Sequence, residues 1–596
     1  MRRDLPWLAA LAVGLVLWFL APYALGDFRF PLGPDAPVYL WWMRLAGVDG
    51  LSAVGHRPGV PALALTVGGT LGLSEVEVVA ALEGALGVTT GLAAAALVRA
   101  GGGRRAAWLL AGALSGTFAV HLAAGYLANL AFAAAFLTAA AMLANGTRAG
   151  AAGAAAVLGG GGLAHPLFFL VGGGVLLLSA AFAWRADRAE SLRVGGAVVG
   201  GGAVVGAGLL ALLIGPDPLE VDTSKDAFLR RTGLTDELRS AYLDRFVHRW
   251  TRYAQWASVP LAIAGLKPAV GFVGRFLRAW GLVTIAGVAV SLATGIAPAD
   301  RFVTFGFVVP VLAALGLVRL WDALRTRRAL AAVAAGTLTL AMLAGSWIAW
   351  DRQEPFLTEL EVARVTDAGP WLGTAGEDAA LVFPVNDDDP AVTFLATRAA
   401  NVIRAAVPPE RIRDVVVVVP APPEEADAVR RALTRVSLED AARASAERGD
   451  RRLDVLLAPF DRVDAAEASG PGSLWHRVST GVFLSAAEGV RAGAPSSLEP
   501  ASQLGVVGAT LAAIALLGVV GFGWARAAGC DGITAIALSP AVGAAVVTIV
   551  AIALERLGLP LDGSGPAETL VSALAGAGGY GLWLVLERRA RARPAP

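Results

Sequence analysis

Long apolar runs separated by short polar loops dominate this sequence. A helix needs about 20 apolar residues to cross a bilayer, so the runs predict a polytopic α-helical membrane protein with about fourteen spans. The predicted spans are Trp7–Leu25, Val76–Val98, Ala106–Val120, Tyr126–Ala144, Ala149–Gly162, Leu167–Trp184, Val194–Ile214, Tyr253–Leu266, Ala279–Ile296, Phe302–Leu320, Ala329–Trp350, Leu504–Trp524, Ile533–Ala553 and Leu570–Leu586.

Arginine and lysine fall mostly in alternate loops, and this asymmetry predicts the orientation. Short cytoplasmic loops carry an excess of these residues, so both termini are predicted to lie on the cytoplasmic side. The membrane is predicted to be the plasma membrane. The basic loops on that side are Arg99–Arg105, Arg148, Arg185–Arg193, Lys267–Arg278, Arg325–Arg328, Arg526 and Arg588–Arg593. The pattern holds only if Pro58–Leu73, a short segment interrupted by glycines, is a juxtamembrane or re-entrant helix on the outer side.

The same pattern divides the chain into three parts. Residues 1–350 form a transmembrane module with outer loops 26–75 and 215–252, and residues 503–596 form a three-helix membrane segment with a basic cytoplasmic tail. Residues 351–502 are predicted to be a small extracytoplasmic α/β domain, because segments typical of buried strands alternate with segments of helical periodicity. The strands are Ala380–Val385, Asp414–Val419 and Leu453–Leu457, and the helices between them are Pro390–Ala406 and Glu424–Val436.

Composition narrows the class of protein further. Of the 596 residues, 56% are hydrophobic and 16% charged, and a net charge of +1 does not favour nucleic acid as a partner. The single cysteine, Cys530, excludes an internal disulfide and a thiolate metal cluster. The motifs H-E-x-x-H and G-x-S-x-G and the P-loop pattern are absent from the sequence.

Polar chemistry collects on the predicted outer side. All five histidines map there or to the outer ends of spans: His56, His121, His165, His248 and His476. The opposite side offers mainly arginines, which orientation alone explains. A reaction site is therefore expected to face outward near the membrane surface.

Asp35 is the predicted catalytic residue. It stands in Gly-Pro-Asp-Ala-Pro, where the prolines limit the freedom of the backbone. A partly desolvated carboxylate takes a proton from an attacking hydroxyl, or binds a metal that activates it. The alternative is that Asp35 caps the helix predicted over Tyr39–Leu45.

Further candidates are basic or aromatic residues of the outer loops. Arg57, next to His56, either pairs with an anionic phosphate or anchors the chain to lipid headgroups. Arg301 either neutralises a phosphate or pairs with the adjacent Asp300. Glu83 lies about two turns into a predicted span, where carboxylates usually face a cavity or a partner.

A second outer turn adds three more candidates. His121, Tyr126 and Asn129 flank this turn and either line a cavity or satisfy its backbone groups. His165, before Pro166, is expected to cap another outer turn.

The order of these segments resembles the GT-C superfamily of membrane glycosyltransferases, which take sugars from polyprenyl-phosphate carriers. One membrane anchor precedes an outer loop with an acid. The next segments are a juxtamembrane helix, a G-x-S-E motif at the start of the next span, a basic inner loop and a helical hairpin. The matching segments, which lie within roughly Met1–Trp350, are PDAPVYLWW, RPGVPALALTVGGTLG, Gly72-Leu73-Ser74-Glu75, RAGGGRR and AVHLAAGYLANLAF.

The resemblance implies an inverting glycosyltransferase in which Asp35 corresponds to the acid of the first outer loop, a base or a metal-site residue. Tyr39 lies in the same motif, and Arg301 corresponds by position to a phosphate-neutralising residue. Many members have paired acids where Asp35 precedes Ala36, and an acid is often found where this chain has His121 and Asn129. The resemblance implies a divalent metal ion, but these departures remove acids that would be its ligands, so no cofactor is assigned.

The sequence therefore predicts an enzyme that moves a sugar from a polyprenyl-phosphate carrier to an extracytoplasmic acceptor. The acceptor is a cell-envelope glycan, a lipid or a protein, and membrane lipids are the other partner. Two alternatives are a lipid or solute transporter or flippase and a non-catalytic envelope scaffold. A transporter requires a charged track across the bilayer, and apart from Glu83 the spans carry few charges.

Overall fold

The structure is a computed structural model, and it describes part of the chain. The described residues are 3–33, 35–55, 57–123, 125–213, 243, 247, 255–266, 271–294, 302, 305–351, 353–355, 357–359, 362, 377–382, 401–402, 404–407, 412–418, 453–457, 475–479, 482–486 and 498–592.

Helices make up most of the described chain. They are α1 (Leu5–Gly26), α2 (Ala36–Asp49), α3 (Gly59–Leu71), α4 (Glu75–Ala100), α5 (Arg105–Phe118), α6 (Val120–Ala123), α7 (Leu127–Ala144), α8 (Arg148–Ala164), α9 (Pro166–Ala183), α10 (Arg188–Leu212), α11 (Ser258–Gly265), α12 (Gly271–Thr294), α13 (Val308–Ala323), α14 (Arg328–Asp351), α15 (Gln503–Ala527), α16 (Gly532–Arg556) and α17 (Pro566–Arg591). Two 3-10 turns, Leu51–Val54 and Gln255–Ala257, are also described.

Ten of the described helices are long and apolar enough to cross a membrane. The other four predicted spans correspond to α5, α8, α11 and α13, which have 14, 17, 8 and 16 residues. At 1.5 Å per residue they rise about 12–26 Å, less than the hydrocarbon thickness of about 30 Å. The chain is thus a multi-pass α-helical protein, and the count of about fourteen spans is not confirmed.

Helix α3 occupies the segment predicted to lie at the membrane surface. It is short, as expected, but its residues from Gly59 to Gly68 are buried within the bundle. At Gly59 an added Cβ would lie 2.5 Å from the backbone nitrogen of Ala164, and the Gly59 carbonyl accepts a hydrogen bond from Thr548. The helix is therefore enclosed by α8 and α16, which favours the re-entrant alternative over a surface helix.

Several helix ends meet at one end of the bundle, called here the basic end. It contains the start of α1, the end of α4, the start of α5 and the starts of α10 and α12, and ion pairs connect these helix ends with one another or with other helices. The pairs are Arg105–Asp4 (2.7 Å), Arg99–Asp531 (2.5 Å), Arg104–Asp322 (2.9 Å) and Arg275–Glu190 (2.6 Å). These arginines belong to the loops that the sequence predicts on the cytoplasmic side.

The last three helices are part of the same bundle. Helices α15 and α16 cross with their backbones in contact: a Cβ on Gly521 would lie 1.9 Å from the Ser539 carbonyl oxygen, and one on Gly543 would lie 2.0 Å from that of Leu517. Small residues allow such close approach of helices in lipid. Helix α16 in turn packs against α3, α4 and α8, so this segment supports the helices that carry the outer loops.

Five described strands form one sheet. They are β1 (Glu377–Val382), β2 (Ile412–Val418), β3 (Leu453–Leu457), β4 (Trp475–Ser479) and β5 (Val482–Ala486). Their order is β2-β1-β3-β5-β4, with β1 parallel to β2 and to β3, and with β5 antiparallel to β3 and to β4. The three predicted strands overlap β1, β2 and β3.

Parallel neighbours require crossover connections, as an α/β domain has. The described residues of the predicted crossovers are few: 401, 402 and 404–406 are helical at the end of Pro390–Ala406, and Glu424–Val436 lies outside the described residues. The α/β assignment of residues 351–502 therefore stays a prediction.

Candidate functional site

Asp35 lies where α2 begins, directly before Ala36. Pro37 stands in the first turn, where the fixed φ of proline favours the start of a helix. The half-buried Asp35 occupies the N-cap position, but its side chain makes no capping hydrogen bond. The alternative that Asp35 serves as a helix cap is thus not supported by the geometry.

One face of α2 continues the site. Asp35, Tyr39 and Trp42 are spaced i, i+4 and i+7, so they share a face of the helix. The rings of Tyr39 and Trp42 are in edge-to-face contact with centroids 5.5 Å apart. Both side chains are buried, so this face points into the protein and not toward lipid.

The Tyr39 hydroxyl connects α2 to α7. It accepts a hydrogen bond of 3.1 Å from the backbone N–H of Ala128, which belongs to the first turn of α7. The first N–H groups of a helix have no partner within the helix, so a side-chain oxygen satisfies one of them here. This contact brings the start of α7, with Tyr126 and Asn129, beside the Asp35 face.

Electrostatics show which predicted residues converge on Tyr39. Burial raises the pKa of Tyr39 well above its usual range, the Asp35 carboxylate raises it further, and the Arg57 guanidinium lowers it. Tyr126 adds a smaller contribution in the raising direction. Asp35, Arg57 and Tyr126 are therefore all near enough to act on one buried phenol, which stays protonated at neutral pH.

A glycine turn closes over the start of α2. Gly125 has a φ of +91°, which favours glycine, and an added Cβ would lie 3.0 Å from the Asp35 nitrogen and 3.1 Å from that of Ala36. A side chain at this position would displace the Asp35 backbone. Gly125 therefore allows the turn before α7 to lie directly against Asp35.

Two buried hydrogen-bond donors near Tyr39 are without a partner. Asn129 is 3% exposed and Trp42 is 4% exposed, and neither Asn129 Nδ2 nor Trp42 Nε1 meets an acceptor among the described residues. Buried donors are nearly always paired in native proteins, so each unpaired one calls for an explanation. An acceptor brought by a bound molecule is one explanation, and it agrees with the predicted role of Asn129.

Glu83, the predicted intramembrane carboxylate, has partners. It is buried in α4, and its Oε2 accepts hydrogen bonds from the Tyr23 hydroxyl and, at 3.3 Å, from the Leu32 backbone N–H. Both partners were missed by sequence reasoning, because Tyr23 lies 60 residues and Leu32 51 residues before Glu83. A single acidic residue in an apolar run indicates that it has a polar partner, but the sequence does not identify that partner.

Described residues within the range predicted to be the α/β domain, 351–502, contact the loop before Asp35 and α2. Gly33 donates to the Glu354 carbonyl at 3.0 Å, and Arg29 pairs with Glu359 at 2.6 Å. On α2, Arg44 donates to the Ala405 carbonyl at 2.6 Å. The candidate site is thus built from the loop between α1 and α2, the start of α7 and these residues of the 351–502 range.

Other predicted site residues are only partly described. His56 and Arg301 lie outside the described residues, as does Asp300, and of His121 only the backbone, in α6, is described. The expected pairing of Asp35 with Arg301 around one cavity therefore stays a prediction. His165 has the predicted capping role, since its Nδ1 accepts a hydrogen bond of 3.2 Å from the Phe168 N–H at the start of α9.

A metal site is not evident in the described part of the chain, where no three His, Cys, Asp or Glu side chains come together. Divalent cations that prefer oxygen require several such ligands, and Asp35 alone does not provide them. No step proposed below is routed through a metal.

Comparison with known proteins gives likeness in overall structure only. No protein-family model and no curated protein matches this sequence. The chain is similar to the oligosaccharyltransferase of Archaeoglobus fulgidus in its apo form, with a TM-score of 0.46 and 13% identity over 75% of this chain and 69% of that one. For the same protein in complex with Zn and sulfate, the TM-score is 0.48 with 13% identity over 76% of this chain and 68% of that one. This likeness is one of overall arrangement.

Proposed function

We propose that this protein is a membrane glycosyltransferase that moves a sugar from a polyprenyl-phosphate carrier to an acceptor hydroxyl outside the cytoplasm. The observation that supports the proposal is that the Asp35 carboxylate, at the start of α2, and the Arg57 guanidinium both act electrostatically on the buried Tyr39 phenol, whose pKa they shift in opposite directions. A base and a phosphate-binding cation within one site are the two groups that this displacement needs.

Asp35 acts as the general base. Its carboxylate takes the proton of the acceptor hydroxyl as the oxygen attacks the anomeric carbon of the sugar. The bond from that carbon to the carrier phosphate breaks on the opposite side, and the phosphate leaves with the electron pair. The product is therefore inverted at the anomeric carbon, and Asp35 releases its proton afterwards.

Arg57 neutralises the leaving phosphate. Guanidinium groups bind phosphate oxygens with strong, charge-assisted hydrogen bonds. The charge that develops on the phosphate is largest in the transition state, so a fixed cation there contributes to the rate and not only to binding. Arg57 is half-buried, which strengthens its effect relative to a solvated arginine.

The two unpaired donors serve the sugar or the phosphate. Trp42 is in ring contact with Tyr39, and Asn129 follows Ala128, whose N–H binds the Tyr39 hydroxyl; an oxygen-rich donor substrate supplies the acceptors that Trp42 Nε1 and Asn129 Nδ2 lack. Tyr39 keeps its proton at neutral pH, because burial and Asp35 both raise its pKa, and so it positions α7 instead of acting as a base. Fixed groups of this kind orient the substrate for attack.

The charge asymmetry of the loops supports a site on the outer face. Helix α4 extends from Glu75, which pairs with Arg44 of α2, to Arg99 at the basic end. These residues are 24 positions apart, or about 36 Å along the helix, so the Asp35 region lies near the end of the bundle opposite the arginine-rich loops. The rule that basic loops face the cytoplasm then puts Asp35 outside, where a carrier lipid reaches it from the bilayer.

The direct test is turnover by purified protein with a panel of polyprenyl-phosphate sugars. We expect Asp35→Asn to lower kcat by about 10²–10⁴-fold, the usual contribution of a general base, with donor binding retained. The matched control is Asp322→Asn at the basic end, which removes a carboxylate of the same kind from an ion pair far from the site. Full turnover by Asp35→Asn, or no turnover of any panel member by the wild type, would contradict the proposal.

A further inference from the structure

The loop that leads into Asp35 is attached to the interior of the helix bundle by a single carboxylate. Glu83 is 1% exposed and lies in α4, and its Oε2 accepts a hydrogen bond of 3.3 Å from the backbone N–H of Leu32. The same oxygen accepts a hydrogen bond from the Tyr23 hydroxyl, near the end of α1. One side chain thus connects α1, α4 and a residue three positions before Asp35.

The opposite side of this loop is also held. Leu32 forms an isolated β-bridge with Pro355, and Gly33 donates a hydrogen bond of 3.0 Å to the Glu354 carbonyl. Gly125 packs against the Asp35 backbone from a third direction. Of these contacts, only that of Glu83 comes from the side chain of a spanning helix.

The burial of Glu83 needs an explanation beyond folding. A carboxylate inside a membrane bundle is costly, and apolar residues of similar size usually stabilise such a position as well or better. Other buried polar residues of α4 are inexpensive by comparison: the Thr89 and Thr90 hydroxyls donate to carbonyls of their own helix. Glu83 instead uses its oxygen for two groups far away in the sequence.

We propose that Glu83 is a positioning residue, which fixes the Leu32–Asp35 segment so that the Asp35 carboxylate meets the acceptor hydroxyl in one geometry. The catalytic part of this inference rests on the proposed function. The attachment of the loop does not, and it is measured separately. Glu83 itself touches no reacting atom in this scheme.

The attachment is tested by amide hydrogen exchange of the protein in lipid nanodiscs, read on peptides covering residues 27–35. Glu83→Leu removes both hydrogen bonds and should speed exchange at Leu32 by roughly tenfold or more. Glu83→Gln keeps an acceptor oxygen and should restore slow exchange. The control Thr90→Val removes a buried hydroxyl from the same helix and should leave these peptides unchanged.

The catalytic consequence is tested by steady-state kinetics of the same variants. Small displacements of a catalytic group cost up to about 100-fold in rate, so Glu83→Leu should lower kcat by roughly 10–100-fold and change the donor KM by less than about twofold. Glu83→Gln should recover most of kcat. If Glu83 had only a structural role, Glu83→Leu would not lower kcat while leaving KM nearly unchanged, and Glu83→Gln would not restore kcat.

The outcomes separate the two claims. Wild-type exchange at residues 27–35 in Glu83→Leu overturns the attachment, and fast exchange with unchanged kcat overturns the positioning role. If Asp35→Asn keeps full turnover, the proposed function fails, while the exchange result still decides the attachment. If Glu83→Leu does not fold, Tyr23→Phe removes one of the two hydrogen bonds and decides the same questions with smaller effects.

Discussion

At the basic end of the bundle, arginines pair with carboxylates within 3 Å, as in Arg99–Asp531 and Arg105–Asp4. In the candidate site around Asp35, by contrast, the donors Asn129 Nδ2 and Trp42 Nε1 have no acceptor among the described residues. The paired groups are partly exposed, so water would have satisfied them in any case. The unpaired groups are buried, where a missing partner costs free energy.

This difference separates polar groups that orient and join helices from those that are available to a ligand. Groups of the first kind find partners within the chain, and their pairing contributes little at an exposed position. Groups of the second kind lower the stability of the empty protein, a cost that enzymes commonly bear at their sites. The following predictions test that separation, from the largest expected effect to the smallest.

The largest effect is expected from Arg57→Ala. Loss of one fixed charge that stabilises the transition state typically costs about 10²–10³-fold, so kcat/KM for the polyprenyl-phosphate donor should fall by about 100-fold. Arg104→Ala, at the basic end, removes the same kind of side chain and should change kcat/KM by less than about twofold. Equal losses of kcat/KM in Arg57→Ala and Arg104→Ala would show that the Asp35 end and the basic end do not differ in function.

An intermediate effect is expected from Asn129→Leu. Leucine removes the unpaired buried amide, so the free energy of unfolding should rise by about 1 kcal/mol while the donor KM rises by roughly tenfold. Thr138→Val is the matched control, because the Thr138 hydroxyl is also buried in α7 without a partner among the described residues. It should stabilise the protein and leave KM unchanged, and a wild-type KM in Asn129→Leu would contradict a role in binding.

A smaller effect is expected from Trp42→Phe, which removes one indole N–H and keeps an aromatic ring. Loss of a single neutral hydrogen bond to the ligand should raise the donor KM by roughly threefold to tenfold. Trp41 lies about 100° around α2 from Trp42, its Nε1 is also buried without a partner among the described residues, and its ring centroid is 5.0 Å from the Arg404 guanidinium. Trp41→Phe removes the same kind of donor away from the Asp35 face and should leave KM unchanged. A larger rise in KM for Trp41→Phe than for Trp42→Phe would argue against this face as the site.

The smallest effect is expected at the Arg104–Asp322 ion pair. The side chains are 73% and 47% exposed, so a double-mutant cycle on thermal or denaturant unfolding should give a coupling of at most about 1 kcal/mol. Turnover should be unchanged in all three variants. A coupling of several kcal/mol would mean that the basic end holds the fold together instead of mainly orienting it.

The sequence predicted the ten long apolar helices and the approximate positions of β1, β2 and β3, since hydropathy and strand patterning are local properties. The spans predicted at α5 and α13 are not confirmed, because these helices have only 14 and 16 residues. An apolar run looks the same whether it faces lipid or other helices. Their lengths are set by turns and crossings that depend on the whole bundle.

Part of the site could also be predicted, because some of its residues stand in local sequence patterns. Asp35, Tyr39, Arg57 and Tyr126 were candidates from local motifs, and the other three act electrostatically on Tyr39, while their role as one site stays a prediction. Trp42 was recoverable from its spacing of seven residues after Asp35 on a predicted helix. The partners of Glu83 were not, because the loop that returns Leu32 to α4 is a tertiary feature.

The most direct test of the central claim is photo-crosslinking in lipid nanodiscs with a polyprenyl phosphate that carries a diazirine next to its phosphate, followed by peptide mapping. The claim is that the carrier phosphate binds at the end of the bundle where Asp35, Tyr39 and Arg57 converge. We predict crosslinks within residues 35–57 and 119–129, which excess unlabelled polyprenyl phosphate abolishes. Crosslinks confined to the basic end, within residues 99–105 and 319–328, would contradict the claim.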